Sequence, residues 1–184
     1  MATLHRSHSL VNARPMILVG AMMISNAGCV SAQHSAVPRG GFVPDSSTAV
    51  LIARAIESRH DSGGTAPAIP LTASLRAGSW VIHVAGATSP LMTIAKADGR
   101  ISGLQRLPAA NAIDNERVAA AIGYAVLAAA YGAREIDAQL PLSVTSQGEA
   151  WIVIGQRPVD TLGGVAHIEI ARSDGRVLRM THGR

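Results

Sequence analysis

Aromatic side chains are nearly missing from this chain: two Trp, two Tyr and one Phe in 184 residues. Hydrophobic residues still make up 48%, so Ala, Val, Ile and Leu must fill the interior, and a disordered chain is excluded. Cysteine occurs once, at Cys29, which excludes an intramolecular disulfide. Long apolar runs are absent too. The strongest, "MILVGAMMI" from Met16 to Ile24, is too short to span a bilayer. Charge is almost balanced once an N-terminal segment holding Arg6 and Arg14 is set aside, because 16 minus 2 leaves 14 cationic against 12 anionic side chains, a net +2. With no basic stripe interleaved with aromatics, nucleic acid is excluded as a partner. No Ser-His-Asp, Cys-His or phosphate-loop spacing occurs, and no second His or carboxylate joins His167 and Glu169 at a helical zinc-ligand spacing. Nothing points to a cofactor. At 19.0 kDa the chain suffices for one domain, or for two small copies of one unit.

Residues 1–29 read as an export signal, with Arg6 and Arg14 ahead of the apolar run and small residues after it. The run ends in "SNAGC", which resembles the lipobox at which bacterial lipoproteins are cleaved and acylated on cysteine, here Cys29. Asn26 departs from the usual Leu, and "VSA" (Val30 to Ala32) offers ordinary secretory cleavage instead. Either route predicts an exported protein, periplasmic or membrane-anchored through lipid alone. Residues 30–43, small, polar and broken by Pro38, Gly40 and Gly41, read as a flexible tether.

A repeat organises the rest. Pro70 and Pro141, like Trp80 and Trp151, are separated by 71 positions, and Asp98-Gly-Arg100 recurs as Asp174-Gly-Arg176 after 76. The added residues fall in an interstrand loop, where insertions are tolerated. Each copy follows a helical pattern, "SSTAVLIARAIESR" and "NERVAAAIGYAVLAAAY", with Asp45 and Asp114 placed to cap the two starts and Gly132 to end the second helix. In that helix Val118, Ala121, Ile122, Ala125, Val126 and Ala129 share a stripe. The predicted fold class is therefore α+β, with a helix followed by three antiparallel strands, twice: a first unit over 44–104 and a second over 113–184. Alternation turns Trp151 and Val153 one way and Ile152 and Ile154 the other; it likewise separates Ala166, Ile168 and Ile170 from Val165, His167, Glu169 and Ala171. Trp80 and Trp151 are expected to be buried anchors, with Gly132, Pro141 and Gly175 shaping the backbone.

The last twenty or so residues gather His167, Glu169, Arg172, Arg176, Arg179 and His182. His167 and Glu169 share a strand face that His182 could approach from a pairing strand, a geometry compatible with a metal but without ligand spacing. For acid–base work only Glu169, Tyr124 and Tyr131 remain, since Asp98 and Asp174 sit in turns. A mixed-charge, Arg-bearing sheet face suits protein binding; such faces are also commonly just the solvated side of a sheet.

The order Tyr131-Gly132, Gln139, Pro141, Trp151, Gly155, Gly163-Gly164-Val165, Asp174-Gly175, Val177-Leu178 and Thr181-His182-Gly183 resembles the bacterial immunity proteins of the nuclear-transport-factor-2-like fold, over residues 113–184. Leu142 stands where an aromatic is common. The resemblance implies a non-enzymatic protein that binds and neutralises a partner toxin, and His167, Glu169, Arg172, Arg179 and His182 are the expected contacts. Residues 44–104 also resemble the small PepSY modules of secreted inhibitors, which implies the alternative of an envelope module inhibiting or tethering a secreted enzyme. A small-ligand carrier would need an apolar pocket between helix and sheet, which alanine-rich helices should keep narrow.

Overall fold

The computed structural model describes residues 37–60, 69–104, 111–157 and 163–183. The expected export signal, Cys29 and residues 30–36 of the expected tether lie outside the described residues. No helix among the described residues is long and apolar enough to cross a membrane.

Asp45 starts the first helix, α1 (Ser46–Glu57), from an extended backbone. Its carboxylate accepts from the Thr48 amide at 2.8 Å and from the Ser47 and Thr48 hydroxyls at 2.6 and 2.9 Å, satisfying an amide the helix leaves without a partner. These donors, the Ser47 hydroxyl foremost, hold the Asp45 carboxyl below its ordinary value. A 3-10 turn, Ser58–His60, follows. Four strands, β1 (Leu71–Arg76), β2 (Ser79–Val84), β3 (Met92–Ala95) and β4 (Ile101–Ser102), then form an antiparallel sheet in sequence order. The plan repeats with α2 (Glu116–Tyr131), the short α3 (Ala133–Asp137), and β5 (Ser143–Gln147), β6 (Ala150–Ile154), β7 (Ala166–Ala171) and β8 (Val177–His182), again antiparallel and in order.

Each sheet has four strands rather than the three expected. β4 is only two residues long, too short for alternation to register, and β5 is an exposed, mostly hydroxylic strand with little apolar signal. The cap of α2 also differs. Asn115, not Asp114, holds the extended cap position and accepts from the Val118 amide at 3.0 Å, while Asp114 accepts from the Asn115 side-chain amide at 2.9 Å. Gly132 ends α2 at φ 97°, ψ 137°, positive in φ but outside the left-handed helical well, and the chain restarts at once as α3. The buried arc of α2 is wider than the expected stripe and rotated from it. Ala119, Gly123 and Leu127 are buried with Val118, Ile122, Ala125 and Val126, whereas Ala121 and Ala129 are exposed, because α2 packs on α1 as well as on its own sheet. At Gly123 an added Cβ would lie 3.0 Å from a Val153 methyl, so a glycine brings helix and strand together.

Trp80 and Trp151 are buried in equivalent surroundings. Each indole N–H donates to the carbonyl two residues before the helix cap, Trp80 to Val43 at 2.8 Å and Trp151 to Ile113 at 3.0 Å, so both the ring and its polar atom are satisfied. The segments carrying those carbonyls are themselves pinned alike. Phe42 and Val43 donate to Ala97 and Lys96, and Ala112 and Ile113 donate to Ser173 and Arg172. Phe42 and Val43 are therefore core residues rather than part of the tether expected over 30–43.

The two units meet at their Asp-Gly-Arg turns. The Ile101 amide donates to the Asp174 carbonyl and the Val177 amide to the Asp98 carbonyl, both at 2.8 Å, a reciprocal exchange across an approximate two-fold axis. Gly99 and Gly175 lie buried at this seam with φ near the left-handed region, 76° and 72°. One hydrophobic core spans both sheets and both helices.

Candidate functional site

Alternation along β7 turns His167 and Glu169 away from the helices, and pairing with β8 places Glu169 opposite Arg179 and His167 opposite Thr181. The Glu169 carboxylate lies 3.8 Å from the Arg179 guanidinium and 3.9 Å from the His167 Nε2. Burial pushes the His167 imidazole below its ordinary value; Glu169 pulls it back up and Arg179 lowers it further. On the next strand Ile152 faces Glu169 and Ile154 faces His167, with Thr145 and Ser143 beyond them on β5. Ile154 is exposed. The outer face of this sheet thus runs from hydroxyls through two isoleucines to a charge pair. The equivalent face of the first sheet carries Thr72, Ser74, Val81, His83, Thr93 and Ser102 instead, with Thr93 and Ser102 hydroxyls 2.7 Å apart.

His182 does not join this face. It pairs with Ala166 and so projects to the helix side, where its ring packs on Tyr131 with centroids 4.9 Å apart. Its Nδ1 is 2.9 Å from the Gly183 carbonyl, and its Nε2 is 3.1 Å from Gln139 Nε2 and 3.6 Å from a Glu135 carboxylate oxygen. Gln139 is buried, and its side-chain oxygen accepts from the Ala166 amide at 2.7 Å, which fixes the amide group with its nitrogen toward His182. Gln139 therefore donates to His182 Nε2, and Nδ1 carries the proton that reaches Gly183. A Cβ at Gly155 would collide with the Gln139 side chain, and one at Gly164 with Gly183. Tyr131, Gln139, Gly155, Gly164, His182 and Gly183 thus form a lock between the end of α2 and the open end of the sheet. Spacing identified these residues, but not that they meet.

Arg172 departs from the expected face as well. Its guanidinium lies 4.9 Å over the Trp151 ring and donates to the Ser146 hydroxyl at 3.0 Å, which covers the anchor. Asp98 and Asp174 accept from the Arg100 and Arg176 amides at 3.0 and 3.1 Å, as turn residues do. The Tyr124 hydroxyl donates to Asp137 at 2.8 Å, an interaction that raises its pKa, and burial raises that of Tyr131. Among the described residues no group of three His, Cys, Asp or Glu could hold a metal ion.

A feature not expected from sequence is an apolar groove of about 750 Å³ lined by Arg117, Ala120, Ala121, Tyr124, Leu140, Pro141 and Leu142. It lies between the outer side of α2 and the Leu140–Leu142 segment that leads into β5. The signal for it was available: residues 118–131 contain no charged side chain at all, so no side of α2 is built for water.

The outer face and the lock lie within a single stretch of chain. Residues 118–184 match the family model of NTF2 fold immunity proteins. That stretch runs from the first turn of α2 through β8, and the match does not extend to the first unit, whose PepSY likeness stays a sequence resemblance. The chain is also 31% identical over 75 residues to the uncharacterized protein YhhH of Escherichia coli (strain K12). The similarity covers 40% of this chain and 59% of that protein, so the chain spans less than two thirds of its relative's length. No solved structure matches the chain.

Proposed function

We propose that this chain is an immunity-type protein that binds a partner toxin and neutralises it without catalysis, through the outer face of the second sheet. One observation carries the reading: the segment that matches the immunity family holds the only Glu–Arg cross-strand pair among the described strand pairings, set beside the exposed Ile154. An apolar centre with charges at its border is the composition of a protein-binding patch. Glu169 offers an acceptor and Arg179 a planar donor, so the pair can be exchanged for equivalent pairs with a partner at little cost in desolvation. The export signal expected over residues 1–29 and acylation of Cys29 would place this face in the bacterial envelope.

Co-expression with a toxin encoded beside this chain tests the reading. The parent should restore growth, and the double variant Glu169→Arg with Arg179→Glu should not, while its melting temperature stays near that of the parent because the swapped pair can still form. If the double variant protects as well as the parent, this face is not the interface; if no adjacent toxin is neutralised by the parent, the immunity reading itself fails.

A further inference from the structure

The two helices carry unlike halves of one face. When the caps Asp45 and Asn115 are superposed, Leu51 of α1 takes the place of Ala121 of α2, Val50 that of Ala120, and Arg54 that of Tyr124. The α1 half is a ridge: Leu51 is exposed, and so is Ile69, the counterpart of Leu140 before the repeated Pro-Leu. The α2 half is a hollow, the groove of about 750 Å³, because alanines at 120 and 121 fill less space. A second hollow of about 360 Å³, between Leu51, Arg54 and Ser58 of α1 and Ala121 and Tyr124 of α2, joins the halves. It shares Ala121 and Tyr124 with the groove, so ridge and hollow lie side by side on one apolar surface of the helix layer.

Charge follows the same division. Arg54 stands on the α1 half, and Asp137 stands at the far margin of α2, where one of its oxygens accepts from the Tyr124 hydroxyl at 2.8 Å. Both are exposed, and neither enters an ion pair among the described residues. A two-fold contact sets one patch against the same patch of the other copy. With its axis lying in this face between the helices, α1 of each copy falls on the partner's α2. We propose that the chain pairs with a second copy of itself through the α1–α2 layer, Leu51 of each entering the groove of the other and Arg54 meeting Asp137. Charge selects this occupant. A lipid surface, or a partner of one charge sign, would leave either Arg54 or Asp137 uncompensated, whereas a second copy answers both at once. The pairing leaves the outer face of the second sheet open, so it stands or falls apart from the immunity reading.

Sedimentation equilibrium of the full chain tests this. At about 100 µM the parent should reach twice the 19.0 kDa of one chain. Arg54→Asp and Asp137→Arg each set like charges together on both sides of the axis, and each should weaken association roughly tenfold or more. Their equimolar mixture should recover it, because one variant carries an acid at both positions and the other a base at both. Leu51→Glu, a change at an exposed position, should give a monomer that melts near the parent. A monomeric parent, a mixture no tighter than its components, or Arg54→Asp and Leu51→Glu variants that pair as well as the parent would overturn the proposal. So would a parent that binds anionic phospholipid vesicles through Leu51 without pairing. Should Asp137→Arg fail to fold for want of the Tyr124 bond, Arg54→Asp and Leu51→Glu decide the matter alone.

Discussion

At the scale of single residues, the tryptophans were the most legible feature, because a large side chain recurring in equivalent contexts must occupy equivalent pockets. Trp80→Ala and Trp151→Ala are each expected to cost about 3 to 5 kcal/mol in urea unfolding, since each removes a buried ring and leaves a helix-entry carbonyl without its donor. A loss under about 1 kcal/mol would place the ring outside the core. Along β8, Arg179 and His182 are three apart, so alternation puts them on opposite faces, and the lock around Gln139 shows what His182 packs against, which spacing alone does not. His167 gives a pH test. Its folded-state pKa is depressed below the ordinary value of 6.5, chiefly by burial, so near and below that value the unfolded chain takes up the proton more readily. This contribution to stability is complete above 6.5 and is lost as pH falls. His167→Gln should therefore shrink the drop in stability between about pH 7 and about pH 5; an unchanged drop would mean that other groups set it.

At the scale of elements, helix starts and turns were readable where one side chain does the work. Asp45 caps α1 as its position suggested, and Asp45→Ala should cost about 1 kcal/mol at neutral pH, fading in acid because a carboxyl held below its ordinary value loses its advantage when protonated in both states. The cap of α2 slipped by one residue because Asp114 and Asn115 are equally competent acceptors and sequence cannot choose between neighbours. The Asp-Gly-Arg turns hold more than turn chemistry. A Cβ at Gly175 would sit 2.7 Å from Ile101 Cδ1, whereas one at Gly99 would find Val43 Cγ2 at an ordinary 3.7 Å. Both positions share a positive φ, which costs any L residue about 1 to 2 kcal/mol. Gly175→Ala should thus destabilise more than Gly99→Ala in paired urea melts, the excess measuring the crowding at the seam; equal losses would show that the seam yields freely.

At the scale of the whole molecule, duplication was visible in the spacings of 71 and 76 residues, but the way the copies join was not. Backbone amides of Ile101 and Val177 reaching across to the opposite turn leave no mark on side-chain pattern. α2 is likewise sandwiched between its sheet and α1, which is why its apolar surface exceeds one stripe. Residues 113–184 expressed alone should therefore lack a cooperative urea transition, having lost the Asp98 carbonyl that accepts from Val177, the Ile101 amide that donates to Asp174 and the α1 side of the α2 packing; a sharp transition near that of the whole chain would make the units independent. On the proposed reading, partner binding falls to the second unit and support to the first. Hydrogen exchange of the whole chain, measured with and without the purified toxin domain proposed as its partner, tests that division most directly. The expected footprint is slowed exchange across β5 to β8 with β1 and β2 unchanged. A footprint confined to the first sheet or to α1 would contradict it.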